Sequence, residues 1–428
     1  MNNLVIICAI LLLVLLFLKV PVYIAVLSAS AVYFIGTPGM NLSIFAQKTI
    51  SGAEGLSLLA IPFFVCAGIF MNYTGVTKRI MNCCEVLTAR MPGGLAQVNI
   101  LLSTLMGGLS GSSLADAAMQ CKMLVPTMES KGYSKSFSTV ITAASGMVVP
   151  LIPPGVGLII YGCINNISIG KLFIAGIGPG IVLCVTLMIF THFLSKKRGY
   201  LPSRTTKIPV SEKIAAVRPA FFPLLLPIII IGGVRIGVFT ASEAGTVAIV
   251  YAVLLGLLYK ELTLKNVMQG CKETVTTTAS IMLIVAAATC FSWILTKEQI
   301  PQQFSQWMIS NIHNKYVFLI MVNIFLLIVG MFIEGNASMI VLAPLLHPVA
   351  MAYGIDDIHF AMVYIFNCTI GAFTPPMGTL MFVSCGITKC PTKDFIKEAV
   401  PFYILFAIDI IVLTYIPQLT TFLVNVFY

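Results

Sequence analysis

Apolar runs long enough to cross a lipid bilayer recur along this whole chain, from residues 4–35 to 400–426. A crossing helix needs about 20 apolar residues, because hydrocarbon offers no water to satisfy a free backbone amide. At roughly 25–35 residues per crossing with its loop, a chain of 428 residues has room for about a dozen membrane segments. The composition agrees: 58% of residues are hydrophobic, 9% are charged and the mean hydropathy is +1.00. A soluble protein carries roughly a quarter charged residues to cover its surface. A soluble enzyme, a disordered chain and a fibre are therefore excluded, and the fold class is an all-α polytopic membrane protein. Met1-Asn2-Asn3 lacks the basic region of a signal peptide, and no small-residue cleavage site follows Leu4–Leu18. That run is expected to remain as a transmembrane helix, broken or ended near Pro21.

The few charges are sorted. The net charge is +10, and its largest concentration is Lys196, Lys197, Arg198, Arg204, Lys207, Lys213 and Arg218, opposed only by Glu212. By the positive-inside rule, 195–218 is a cytoplasmic loop. The twelve cysteines show no CxxC spacing, and most lie inside apolar runs as small hydrophobes. The four histidines, at 192, 313, 347 and 359, have no metal-ligand spacing. His347 reads as a packed or hydrogen-bonded side chain rather than a proton relay.

The short apolar segments cluster around 95–170 and 316–390, and a single offset relates the two clusters. Adding 222 carries Gly108 to Gly330, Pro126 to Pro348 and Gly132 to Gly354. It carries Pro153-Pro154 to Pro375-Pro376, Lys171 to Lys393 and Pro179 to Pro401. Chance apolar similarity does not align prolines and glycines in this way, so the chain is read as an internal duplication. The first repeat spans about 40–194 and the second about 262–426, with the basic loop between them. If 195–218 is cytoplasmic and 172–194 crosses once, Lys171 is external. Its mate carries Lys389, Lys393 and Lys397, which favour the cytoplasm. Equivalent loops on opposite sides mean inverted repeats, with Tyr428 external.

Two kinds of segment interrupt the helices. Gly107-Gly108-Leu109-Ser110-Gly111-Ser112-Ser113-Leu114-Ala115-Asp116 disfavours a continuous helix and suits the tip of a re-entrant helical hairpin. Small residues of this kind also serve plain helix packing in membranes. Asp116 tips the reading toward function, since a carboxylate at membrane depth is costly. The second segment is Ser145–Gly155, where Pro150, Pro153 and Pro154 remove amide donors and break the helix. Their mates are Gly330–Ser338, which contains Glu334 and Asn336, and Thr374-Pro375-Pro376-Met377-Gly378. Glu334 either balances a cation or caps its hairpin. Hairpin tips and broken helices present helix N-termini suited to an anion and free carbonyls suited to Na+, which is a secondary-transporter design. Arg235 and Glu243, within Gly232–Ala244, either pair or dock a partner, or they form a solvated turn. No nucleotide-binding P-loop is present.

These residues resemble the large membrane subunit of the tripartite ATP-independent periplasmic (TRAP) transporters, of the dicarboxylate and sialic-acid type. The resemblance covers essentially the whole chain. It rests on Gly-Gly-Leu-Ser-Gly-Ser-Ser-x-Ala-Asp at 107–116, Ile-Pro-Pro-Gly at 152–155, Gly-Gly-Val-x-x-Gly-x-Phe-Thr-x-x-Glu-Ala at 232–244 and Thr-Pro-Pro-x-Gly at 374–378. The family often has Thr-Pro-Thr-Glu where Thr240-Ala241-Ser242-Glu243 stands, and Ser where Gly155 stands. The resemblance implies a non-enzymatic, Na+-coupled importer of an organic anion in the bacterial inner membrane, with no cofactor beyond the coupling ion. A periplasmic binding protein delivers the substrate, a small four-helix membrane subunit completes the permease, and the fold works as an elevator. One Na+ site is implied at Ser110, Ser112, Gly146, Val149 and Pro150, and a second at Glu334, Asn336, Gly371, Thr374 and Gly378. Asp116 is implied to support the first hairpin or the substrate pocket. Substrate is implied near Ser112, Ser113, Pro153, Pro154, Pro375 and Pro376, between the tips. The competing reading is a standalone citrate- or dicarboxylate-type symporter, which needs no binding protein. An intramembrane enzyme lacks a catalytic set in this sequence, and a channel has no particular support.

Overall fold

The computed structural model describes residues 3–18, 20–204, 206 and 208–428, with only the backbone of Asn3, Phe17, Leu56 and Ser57. Met1, Asn2 and Lys207, which enter the leader and charge readings above, lie outside the described residues. All described regular structure is helical. The first half contains α1 (Asn3–Phe17), α2 (Val22–Gly36), α3 (Leu42–Ser51), α4 (Ala60–Asn72), α5 (Val76–Thr88), α6 (Gly94–Ser110), α7 (Ser113–Ser130), α8 (Lys135–Gly146), α9 (Val156–Asn165) and α10 (Ile169–Lys197). The second contains α11 (Val210–Arg235), α12 (Ala241–Leu258), α13 (Leu264–Lys297), α14 (Ile300–Asn311), α15 (Lys315–Phe332), α16 (Gly335–Ala352), α17 (Asp357–Phe373), α18 (Thr379–Thr388), α19 (Thr392–Tyr415) and α20 (Gln418–Phe427).

The offset of 222 holds at the level of helices. Added to α7 it gives 335–352, the bounds of α16, and added to α6 it gives 316–332, within one residue of α15. The turn glycines Gly132 and Gly354 both have left-handed backbone, at φ +86° and +68°. The Pro153-Pro154 and Pro375-Pro376 bonds are both cis. The start of α3 maps onto the start of α13 (42 + 222 = 264), but α3 and α4 are separate helices where α13 is continuous.

Contacts at the helix ends establish that the repeats are inverted. Lys171, at the start of α10, holds its ammonium 5.8 Å from the Tyr428 ring centroid. Arg198, at the other end of α10, pairs with Glu398 at 2.7 Å. The 29 residues of α10 separate these ends by about 43 Å at 1.5 Å per residue. Lys393, the mate of Lys171, lies on the first turn of α19 near Glu398, at the Arg198 end.

Among the described residues, six helices are long and apolar enough to cross a membrane, or up to nine if each bent pair counts as one span. The length has room for about a dozen membrane segments, more than these full-length spans supply. The difference lies in short apolar helices of 10–17 residues, including α6, α17 and α18, which form hairpin arms and half-helices. At the centre sits α17, buried without interruption from Ile358 to Gly371. A helix apolar on all sides belongs inside a bundle. It meets α15 where Gly330 and Gly371 cross; a methyl group built on Gly371 would stand 2.6 Å from the Gly330 Cα.

Two further expectations change. Gly107 and Gly108 do not break the helix, for α6 runs through them to Ser110, and only Gly111-Ser112 forms the turn. Their role is close approach. A Cβ on Gly107 would lie 3.2 Å from the Val149 Cα, and one on Gly108 would lie 3.1 Å from the Pro153 carbonyl. The basic segment 195–218 is not one loop, since α10 continues to Lys197 and α11 begins at Val210. The connection between them packs onto the bundle. The Arg204 amide donates to the Ala89 carbonyl at 2.9 Å, and Tyr200 stacks on Tyr133 with centroids 4.3 Å apart.

Candidate functional site

The tip of the first hairpin is a capped turn. Gly111 takes left-handed backbone (φ +62°) and its N–H donates to the Gly107 carbonyl, which closes α6. Ser112 is extended, and its hydroxyl accepts from the Ala115 amide at 3.4 Å, which opens α7. The second tip uses a different residue for the same task. Glu334 is extended, and its carboxylate accepts from the Ala337 amide at 3.2 Å, which opens α16. Glu334 is thus a helix cap, and it also lines a cavity.

That cavity has a volume of about 190 Å³ and lies between the two tips. Ser110, Gly111, Ser112 and Ser113 line it from the first tip, and Glu334, Gly335 and Asn336 from the second. Pro150, Val156 and Gly157 come from the first helix break, and Thr379 from the second. Asn72 on α4 and Thr277 on α13 close it from the opposite wall. Four helices therefore begin at this cavity: α7, α9, α16 and α18. Each N-terminus carries roughly half a positive charge. No Lys, Arg or His lines the cavity, and Glu334 is its one acidic lining residue. Positive potential here comes from backbone rather than side chains. The serine hydroxyls and unwound carbonyls are hard oxygen donors of the kind Na+ accepts, and Ser110 Oγ is buried without a hydrogen-bond partner.

Of the expected site residues, Ser110, Ser112, Ser113, Pro150, Glu334 and Asn336 line this cavity. The others stand behind it. Gly146 faces the start of α7, with a Cβ position 3.3 Å from the Ser113 carbonyl, and Val149 packs beneath Gly107. Gly371 is taken up by its crossing with Gly330. The Thr374 hydroxyl donates to its own helix at the Ile370 carbonyl, 2.8 Å away, and the Gly378 amide donates to the Thr374 carbonyl at 3.1 Å. Pro153, Pro154, Pro375 and Pro376 shape the two breaks without lining the cavity. The Pro154 carbonyl lies 3.1 Å from the Cβ position of Gly111, so the first break supports the first tip.

Asp116 also stands behind the tip and is 1% exposed. Its Oδ2 accepts from the Ser103 hydroxyl at 2.7 Å and from Gln120 Nε2 at 2.8 Å. Ser145 at the first break joins the network through Ser103 at 3.1 Å. The carboxylate thus ties α6 and α7 to α8 rather than lining the cavity. Arg235 and Glu243 form no ion pair with each other. The Arg235 Nε donates to the Phe427 carbonyl at 2.9 Å, and Glu243 completes a capping box with Thr240. His347 is hydrogen-bonded to the Tyr161 hydroxyl at 3.4 Å.

Three residues escaped the sequence reading. Asn72 ends an apolar run, and Thr277 sits in the run Thr276-Thr277-Thr278; polar side chains at apolar-segment positions were the available signal. Asp409 is a further carboxylate at membrane depth, 2% exposed, and accepts from the Thr186 hydroxyl at 3.0 Å. It is the one charged residue in the run 400–426, the same signal that singled out Asp116.

Residues 9–419 match the family model described as the DctM component of tripartite ATP-independent periplasmic transporters. The chain is 39% identical to the sialic acid TRAP transporter large permease protein SiaM of Vibrio cholerae, over 96% of each chain. It is 36% identical to the C4-dicarboxylate TRAP transporter large permease protein DctM of Pseudomonas aeruginosa, over 89% of each. It is 35% identical to the 2,3-diketo-L-gulonate TRAP transporter large permease protein YiaN of Escherichia coli, over 93% of this chain and 94% of that one. Among solved structures, the YdaH transporter of Alcanivorax borkumensis superposes with a TM-score of 0.61 at 12% identity, over 92% of this chain and 96% of that one, a likeness of fold alone.

Proposed function

The chain belongs to the DctM-component family of tripartite ATP-independent periplasmic transporters, and from that premise we propose that it is the large permease subunit of a Na+-coupled organic-anion importer. The observation that carries this reading is the convergence of four helix N-termini on one cavity without a basic side chain. Such a cavity favours a carboxylate through backbone dipoles, and an adjoining Na+ adds the positive charge that side chains do not supply. Empty of Na+, the site holds the Glu334 carboxylate, which opposes an anion. Substrate binding then depends on prior or joint binding of the ion, and this dependence is the physical basis of symport.

In this reading Ser110, Ser112, Gly146, Val149 and Pro150 hold one Na+. Glu334, Asn336, Gly371, Thr374 and Gly378 hold another. The anion lies at Ser112 and Ser113 between the tips, positioned by the Pro153-Pro154 and Pro375-Pro376 breaks. The relatives named above transport sialic acid, C4-dicarboxylates or a keto-sugar acid, which supports a carboxylate as substrate. A periplasmic binding protein delivers the anion, a small membrane subunit completes the complex, and Arg235 and Glu243 lie on a surface available for docking. The protein resides in the bacterial inner membrane with 195–218 cytoplasmic. The repeats, about 40–194 and 262–426, carry the hairpins as an elevator.

Reconstitution with the small subunit in liposomes tests this. Uptake of labelled sialic acid or C4-dicarboxylate is expected to need both an inward Na+ gradient and the binding protein. Uptake without any binding protein would favour a standalone symporter instead. At residue level, Ser110→Ala and Asp116→Ala are expected to weaken Na+-dependent uptake while expression stays intact. The first removes a hydroxyl donor at the cavity. The second loosens the Ser103–Gln120 network behind the tip. Wild-type transport by both variants would sink the assignment of the first hairpin.

A further inference from the structure

A cavity of about 820 Å³ lies at the Arg198 end of α10, away from the tips. Glu85 and Val86 of α5, Leu95 and Val98 of α6, Lys131 after α7 and the connection Arg198–Arg204 form its walls. The connection is fixed in place. Besides the bond from Arg204 to Ala89, the Gly93 amide donates to the Tyr200 carbonyl at 3.1 Å. The cavity thus occupies the joint between α5 and the base of the first hairpin.

The second repeat has the same joint and closes it. Adding 222 to α5 gives 298–310, against 300–311 for α14, and carries Arg90, Ala96 and Lys131 to Ile312, Phe318 and Tyr353. There the Tyr353 hydroxyl donates to the Ile312 carbonyl at 2.8 Å, and its ring stacks on Phe318 with centroids 4.6 Å apart. In the first repeat Ala96 leaves the volume of one ring unfilled, and Lys131 replaces the other. Arg90 and Lys131 are both cations and repel. Among the described residues neither has an ion-pair partner.

This joint stands at headgroup depth. The 29 residues of α10 span about 43 Å, the hydrocarbon core is about 30 Å thick, and the cavity lies at the end of that helix. Leu201 lines it yet is 79% exposed, and Leu87 on α5 and Val210 on α11 are exposed as well. Apolar surface at such a mouth suits an acyl chain better than water. Two of the lining cations are paired, Arg204 with Glu212 at 2.5 Å and Arg198 with Glu398 at 2.7 Å. Lys131 and the lining carboxylate Glu85 form no ion pair among the described residues. Exposed Arg90, Lys196, Lys197 and Lys213 flank wall residues in the chain, while Glu129 is held by Lys135. The surplus charge is positive. We propose that this cavity binds an anionic phospholipid of the adjoining leaflet, its phosphodiester between Lys131 and Arg90 and an acyl chain along Leu201. The headgroup closes the first joint as Tyr353 closes the second. By the charge bias of 195–218 the leaflet is the cytoplasmic one, where basic pockets attract anionic headgroups. The site does not depend on the transport reading above.

Native mass spectrometry of the purified full-length chain tests this, with phosphatidylglycerol and phosphatidylcholine of matched acyl chains as probes. The wild type is expected to retain phosphatidylglycerol about ten-fold better. Arg90→Gln combined with Lys131→Gln is expected to abolish that preference. Lys265→Gln combined with Lys272→Gln removes two exposed cations of α13 outside the cavity and is expected to keep it. In a parallel arm, short-chain phosphatidylglycerol is expected to raise the melting temperature of the wild type, and inorganic phosphate at the same concentration to leave it unchanged. Equal retention of the two lipids by the wild type overturns the site. So does an undiminished preference in the Arg90 and Lys131 variant, or an equal loss in the α13 control. Equal stabilisation by inorganic phosphate overturns the lipid in favour of a soluble anion. If the double variant does not fold, Lys131→Tyr makes the same test with the side chain that the second repeat already carries.

Discussion

Replacing Glu334 by alanine is expected to raise the Na+ concentration for half-maximal uptake by about ten-fold or more, equivalent to about 1.4 kcal/mol of lost ion binding. Glu334 does two things at once. As the residue that opens α16 it accepts the Ala337 amide, and loss of such a cap costs about 1 kcal/mol of local stability. It is also the one acidic side chain on a cavity edged by four helix N-termini. The two roles separate by measurement. A pure cap predicts a lower melting temperature with unchanged Na+ dependence, and Glu334→Asn, which caps well without charge, would then restore the wild type. A counter-charge to the cation predicts that Glu334→Asn keeps stability but retains the weakened Na+ response, whereas Glu334→Asp recovers part of it. Restoration of Na+ affinity by asparagine would remove Glu334 from the ion site.

Gly371→Ala is expected to damage both the fold and transport, although it adds only one methyl group. The added carbon would sit 2.6 Å from the Cα and 2.8 Å from the carbonyl carbon of Gly330, both backbone atoms that no rotamer change can move. Either α15 shifts off α17 or the hairpin fails to seat. Overpacking of this kind costs about 1–3 kcal/mol, and its position directly beneath the second tip sends the displacement into the cavity. Loss of melting temperature together with loss of uptake is the expected result, read by thermal denaturation of the purified protein and by liposome transport. Gly386→Ala is the matched control, because nothing lies within 4 Å of its Cβ position on α18. It is expected to leave uptake intact and to stabilise slightly, since alanine is the better helix former. Equal effects of the two substitutions would mean that close approach at Gly330–Gly371 is not what places the hairpin.

The prolines and glycines made much of the architecture legible. Pro153-Pro154 and Pro375-Pro376 cannot sit within regular helix, so their spacing marks two breaks, and the same offset carries α7 onto α16 residue for residue. The glycines of 107–111 were harder to read. Sequence alone does not distinguish a glycine that turns the chain, as Gly111 does, from one that lets another backbone approach, as Gly107 and Gly108 do. Charge scarcity exposed Asp116 and Glu334 as unusual but not their different placements. The first lies behind the tip in a hydrogen-bonded network, and the second opens onto the cavity.

The sequence alone determined the membrane class, the duplication, the hairpins and the breaks, because each follows from local chemistry: hydrophobicity over a bilayer's thickness, amide donors removed by proline, and a repeated pattern. Only the tertiary structure decided which residues meet. Asn72 and Thr277 lie on helices far from the hairpins in sequence, and Gly371 is committed to a helix crossing rather than to the cavity wall. The convergence of four helix N-termini without a basic side chain is likewise a property of packing. A helix end carries its partial charge wherever it lies, and that charge adds to others only where the fold brings the ends together.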